Sequence, residues 1–187
     1  MITPAFVRVI DTQSLARDEQ LVAQLHGLGV EHLVRLQSDL PCAPLSPVHL
    51  ITALAAHPQA RFRSSLILLF LRRPSFSQFI SEILTRLDLS AAENLRLYYQ
   101  AAVYLRAELE TDLRQYSDDL SALPELFSAE LGLPAPGSVP AHDALVALGD
   151  LHRRLSGRAY NWAGSYRQHI PLFLRQLKRH AHTSGHI

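Results

Sequence analysis

The sequence predicts an all-α protein, on three observations. Apolar residues recur at steps of three and four along nearly every segment, strand-like alternation is confined to five residues near the start, and proline or glycine interrupts the pattern at helix-length intervals. At 187 residues the chain is long enough to bury a core of its own. The expected architecture is a single-domain bundle of about seven or eight helices.

Taken in order, Phe6-Val7-Arg8-Val9-Ile10 alternates and reads as a short extended arm. Leu15, Leu21, Val22, Leu25 and Leu28 trace a first helix that ends at Gly27 and Gly29, and Val30, Leu33, Val34 and Leu36 suggest a second, short one. Pro41 to Pro47 is a break. Ser46 followed by Pro47 is a helix start, an N-cap with proline in the first turn, and that helix ends near His57-Pro58. Arg61 and Arg63 open the next one. Its span Phe62–Leu71 contains six consecutive apolar residues from Leu66 onward, which cover every face, so this helix is predicted to be central and fully buried.

Ser75-Phe-Ser-Gln78 reads as a capping box, followed by a buried stripe through Phe79, Ile83 and Leu87. Ser90-Ala-Ala-Glu93 reads as a second, opening a long helix over Ala91–Leu120. Unbroken, it would be about 45 Å long, whereas a globule of this chain length is about 40 Å across. It therefore breaks near Ser117-Asp118 or projects and pairs with another copy. Residues 121–131 suggest one more short helix. The nine residues 132–140 hold three prolines and two glycines and form a linker. Residues 1–131 are thus the main bundle, and 141–187, too few for a separate core, dock back as a basic helical pair within one structural domain. The pair comprises Asp143 to Leu155, stopped at Ser156-Gly157, and one helix from Tyr160 to His180 that kinks at Pro171 without breaking the stripe of Trp162, Tyr166, Ile170, Phe173, Leu174 and Leu177.

Composition bounds the function classes. Apolar residues make up 48% and charged residues 19%, with a mean hydropathy of +0.03. That leaves little polar surface for a monomer and favours a homo-oligomer, a dimer in the simplest case. Cys42 is the lone cysteine, which excludes an intramolecular disulfide and a cysteine-based metal site. The longest apolar run, Leu66 to Leu71, is far short of the ~20 residues that span a bilayer. The first ten residues lack the pattern of a signal peptide. The expected location is cytoplasmic, with no membrane association.

Charge is segregated along the chain. Residues 91–150 carry three arginines against ten carboxylates, while residues 151–187 carry seven basic residues and no carboxylate. The simplest reading is that the basic helices dock on the acidic one. The alternative is an external anion, held by Arg153, Arg154, Arg158, Arg167, Arg175, Lys178 and Arg179. These alternate with Tyr160, Trp162 and Tyr166, so phosphates would meet cations and unpaired bases would meet rings. Trp162 and Tyr166 fall on the apolar stripe, where core packing also accounts for them.

Catalytic and cofactor motifs are missing. Gly27-Leu-Gly29 lacks the third glycine and the preceding strand of a dinucleotide loop, and no phosphate-loop or nucleophile-elbow pattern occurs. Glu108 and Asp112, one turn apart, read as a solvated face. His180, His182 and His186 would bind zinc or nickel only adventitiously, for want of a supporting shell at a chain terminus. No cofactor and no resident metal are expected. The function class that fits is a non-catalytic protein-interaction or regulatory module. The alternatives are a nucleic-acid- or polyanion-binding protein using the Arg-rich C-terminal segment, and an enzyme whose site is assembled from distant residues. An acidic protein is the other partner the basic segment would suit.

Overall fold

The computed structural model describes residues 12–34, 44–116, 123–168 and 170–183. Its helices in chain order are α1 (Thr12–Gly27), α2 (Pro47–Ala55), α3 (Ala60–Arg72), a 3-10 helix (Pro74–Phe79), α4 (Ile80–Leu84), α5 (Leu89–Glu108), α6 (Glu110–Tyr116), α7 (Ser128–Leu131), α8 (Ala141–Ser156), α9 (Trp162–Arg167) and α10 (Ile170–Thr183). The described residues contain no β-strand, only an isolated bridge between Pro136 and Val139. The protein is an all-α bundle, and no helix among the described residues is long and apolar enough to cross a membrane.

α3 is the buried centre that its composition demands. Phe62 and every residue from Ser64 to Leu71 are buried, because α2 packs on one side and α5 on another. α5 is a second axis. Its residues Leu97 to Leu105 are all buried, since α3 covers one flank and α8 a different one. Ala101 and Ala102, both fully buried, keep that crossing close. Phe70 meets Tyr99 edge to face at 4.9 Å, and Tyr99 meets Phe127 at 5.6 Å. The residues after the 132–140 segment join the same core through Leu145, Leu148, Trp162, Tyr166 and Phe173.

Helix starts follow the strongest local capping group. Ser46 caps α2 as expected, its Oγ accepting the His49 N–H at 3.3 Å, with Pro47 in the first turn. The two predicted capping boxes are not formed. Pro74 initiates a 3-10 helix one residue ahead of Ser75, with Arg73 at the N-cap making no side-chain cap bond, so that serine falls inside the first turn. At α5 the cap is Asp88, two residues ahead of Ser90. Its carboxylate accepts the Ala91 N–H at 2.8 Å, placing a negative charge at the positive end of the helix dipole.

There are more helical segments than the seven or eight expected because long runs are divided. The run from Leu89 to Tyr116 is helical except at Leu109, and the bonds from Leu109 N–H to the Leu105 carbonyl and from Leu113 N–H to the Leu109 carbonyl, each 2.9 Å, bridge the step. α6 packs on α10, so up to Tyr116 this run lies against the bundle and does not project. The Ser117-Asp118 break lies outside the described residues. The expected single helix from Tyr160 to His180 is instead two helices, α9 and α10, with a turn at Gln168. Pro171 has no N–H for the carbonyl of Arg167 and its ring crowds that carbonyl, so the helix stops there and restarts with proline in its first turn.

Residues 31–34 are not helical, and the remainder of the short helix expected there lies outside the described residues, as does the arm at 6–10. Of 121–131, residues 121–122 lie outside the described residues, and within 123–131 the helix is Ser128–Leu131, ended by Gly132 in the left-handed conformation.

Candidate functional site: a basic and aromatic cleft

α8 and α9 approach closely enough to leave no room for a methyl group. A Cβ on Gly149 would lie 2.9 Å from the backbone nitrogen of Ala163. This contact drives the α9 aromatics inward. Trp162 stacks on His152 of α8 with ring centroids 3.6 Å apart and planes 11° apart. The Tyr166 hydroxyl and His152 Nδ1 share a buried hydrogen bond of 2.8 Å, and Tyr98 of α5 meets the His152 ring edge-on at 5.7 Å. Burial pushes the His152 pKa down to about 4, with the Arg63 guanidinium acting in the same direction. Burial raises the Tyr166 hydroxyl far above its ordinary value, with Tyr98 adding to the effect. Both groups are therefore neutral, and they serve as packing.

In front of this wall lies a cleft of about 480 Å³. The first turn of α3 supplies Ala60, Arg61 and Ser64, and α5 supplies Tyr98. The opposite side comes from the segment between Gly157, left-handed at φ 64°, and α9, which brings Arg158, Tyr160, Trp162 and Ser165. Asn161 fixes the end of that segment, its Oδ1 accepting the Gly164 N–H at 2.9 Å. Among the described residues, the lining holds no carboxylate, imidazole, amine or thiol. Arg61 Nε donates to Gln59 Oε1 at 2.7 Å. Among the described residues, neither Arg61 nor Arg158 has a carboxylate within ion-pair distance. Tyr160 is half-exposed at the rim. Trp162 is 6% exposed, and its indole N–H is buried without an acceptor.

Most of the basic residues singled out in the sequence have partners within the protein. Arg167 grips Glu108 of α5 in a bidentate fashion, its Nη2 donating at 2.8 Å and 3.0 Å and its Nε at 3.1 Å. Arg153 pairs with Asp150 at 2.8 Å and Arg179 lies 3.9 Å from Glu31. The Lys178 ammonium sits 5.3 Å from the Tyr116 ring centroid. Arg154 and Arg175 are exposed. Of the seven, Arg158 reaches the cleft. His180 and His182 contribute backbone to α10, while their side chains, and His186 as a whole, lie outside what is described. Among the described residues no three His, Cys, Asp or Glu side chains are grouped to hold a metal.

The sequence did not connect Arg61 and Tyr98 to Arg158. They come from helices far apart in the chain, and nothing in their local spacing marks them.

His57 and Asp18 form the one acid–imidazole pair among the described residues. His57 Nε2 donates to Asp18 Oδ1 at 3.0 Å, and its Nδ1 accepts the Gln59 N–H at 3.1 Å. Both ring nitrogens are engaged, so no lone pair is left for a substrate proton. The chain matches no known protein-family model, and no curated protein or solved structure is significantly similar to it.

Proposed function

We propose that the protein is a non-catalytic interaction module that takes an anionic group of a partner into the cleft between α3 and α9. The observation that carries this reading is the convergence of Arg61 and Arg158 on one cleft, neither of them within ion-pair distance of a carboxylate among the described residues. Guanidinium groups match carboxylate and phosphate oxygens with paired N–H donors. The start of α3 adds to the attraction: Gln59, at its N-cap, makes no side-chain cap bond, and the positive end of the helix dipole meets the cleft at Ala60 and Arg61. Catalysis is disfavoured by the lining itself. Among the described residues it offers no carboxylate or imidazole as a general base, and the Ser64 hydroxyl is committed to the Arg61 carbonyl at 2.9 Å.

The test is retention on an immobilised polyanion at low salt. The parent chain is expected to bind and to elute as salt rises. An Arg61→Glu, Arg158→Glu variant is expected to pass through. An Arg154→Glu, Arg175→Glu control, carrying the same change in net charge, is expected to remain bound. Equal loss in the two variants would assign retention to overall charge and refute the cleft.

A further inference from the structure

We infer that the ligand of this cleft is a nucleotide unit, a phosphate joined to an aromatic base; this rests on the anion-binding reading above. Size is the first ground. A volume of about 480 Å³ falls in the range of roughly 300–1,000 Å³ that holds organic ligands. A bare phosphate, or a single carboxylate side chain of an acidic peptide, would fill only a small part of that volume.

The second ground is what lines the rest. Tyr160 stands at the rim, 52% exposed, and meets the edge of Trp162 at 5.0 Å with the planes 70° apart. A half-exposed tyrosine in the same lining as two arginines offers a ring for base stacking together with charge for phosphate.

The nucleotide unit could be free or part of a single strand, and the chemistry of the cleft is the same for both. Trp162 is the only tryptophan, so its emission reports directly on occupancy. The full chain is titrated with adenosine 5′-monophosphate, adenosine, inorganic phosphate, an eight-nucleotide single strand and a glutamate-rich peptide. Each is followed by Trp162 emission and, independently, by calorimetry.

The nucleotide or the strand is expected to bind saturably and to change the emission. Adenosine and phosphate, each lacking half of the unit, should be at least about tenfold weaker. Arg158→Ala and Tyr160→Ala, both at exposed positions, should each weaken nucleotide binding by about tenfold while leaving the helical circular-dichroism spectrum unchanged. A strand that binds much tighter than the monomer, with a steep salt dependence, identifies nucleic acid as the source; equal affinity identifies a free nucleotide. If the peptide or phosphate binds as tightly as the nucleotide, the inference falls while the anion-binding reading stands. If nucleotide and strand give no heat and no emission change at millimolar concentration, the inference falls. The polyanion experiment then decides the broader reading separately.

Discussion

His152 on α8 and Tyr166 on α9 share a hydrogen bond of 2.8 Å inside the protein, and burial holds the imidazole neutral with a pKa of about 4. The unfolded chain takes up this proton near the ordinary value of about 6.5. Between those values the unfolded state binds more protons, so stability is full above pH 6.5 and is lost as pH falls toward 4. The loss is about 3 kcal/mol if the whole shift is expressed. Urea unfolding at pH 7.5 and pH 4.5 should display most of that difference. His152→Asn should remove this part of the slope, and an unchanged slope would mean that His152 is not the group being titrated.

Gly149→Ala sets two effects against each other. Alanine favours a helix interior by about 1 kcal/mol over glycine. The new Cβ, however, would sit 2.9 Å from a backbone nitrogen and 3.2 Å from the Ala163 Cβ, neither of which can swing away. Overpacking of this kind costs about 1–3 kcal/mol. We expect a net loss of about 1–2 kcal/mol in chemical denaturation, with a shift in Trp162 emission as α9 is displaced. A stabilised variant would show that the crossing yields easily.

The contrast between these residues and the cleft explains what was legible in the sequence. The six-residue apolar run at Leu66 to Leu71 has no polar face, so its burial follows from composition alone. Trp162 and Tyr166 lie on a continuous stripe and are correctly read as core. Boundaries were harder, because capping is a competition. Asp88 displaces Ser90 through its charge, and Pro74 pre-empts Ser75 through its fixed φ. Pro171 reads as a kink because the stripe continues across it; periodicity is blind to a missing N–H. The cleft was half visible. Arg158 belongs to the basic segment, but Arg61 and Tyr98 reach it only through the packing of α3 and α5, which no local pattern encodes.

Among the described residues, the acidic-to-basic docking expected from charge segregation is represented between helices α5 and α9 by the pair Arg167 with Glu108. Both side chains are about one-third exposed, at 29% and 35%, so solvent screens them. Across a double-mutant cycle of Arg167→Ala and Glu108→Ala, the coupling should be under about 1 kcal/mol and should shrink as salt is added. Exchanging the two charges, Arg167→Glu with Glu108→Arg, should recover part of what either reversal loses alone. A coupling several times larger would mean that the pair is shielded from water when α9 meets α5 in solution.

Two tyrosines of α5 anchor the irregular segments on either side of α7. Tyr99 donates to the Pro124 carbonyl at 2.7 Å and Tyr104 to the Pro134 carbonyl at 2.6 Å. Both rings are essentially fully buried, and burial raises both hydroxyl pKa values, so they remain donors across the accessible pH range. Replacement by phenylalanine keeps the ring packing and removes only the donor, at a cost of about 1 kcal/mol plus the penalty for an unsatisfied buried carbonyl. Each variant should lose about 1–3 kcal/mol in urea unfolding at pH 7 and fold to the same helical content. The tyrosines also predict where the loss is felt. Hydrogen exchange should accelerate at the Ser128–Leu131 helix and at residues 133–139 while α3 remains protected, because α3 is held by its own burial and not by these two bonds. Uniform acceleration across α3 as well would show that the anchors stabilise the whole bundle and not the two segments they touch.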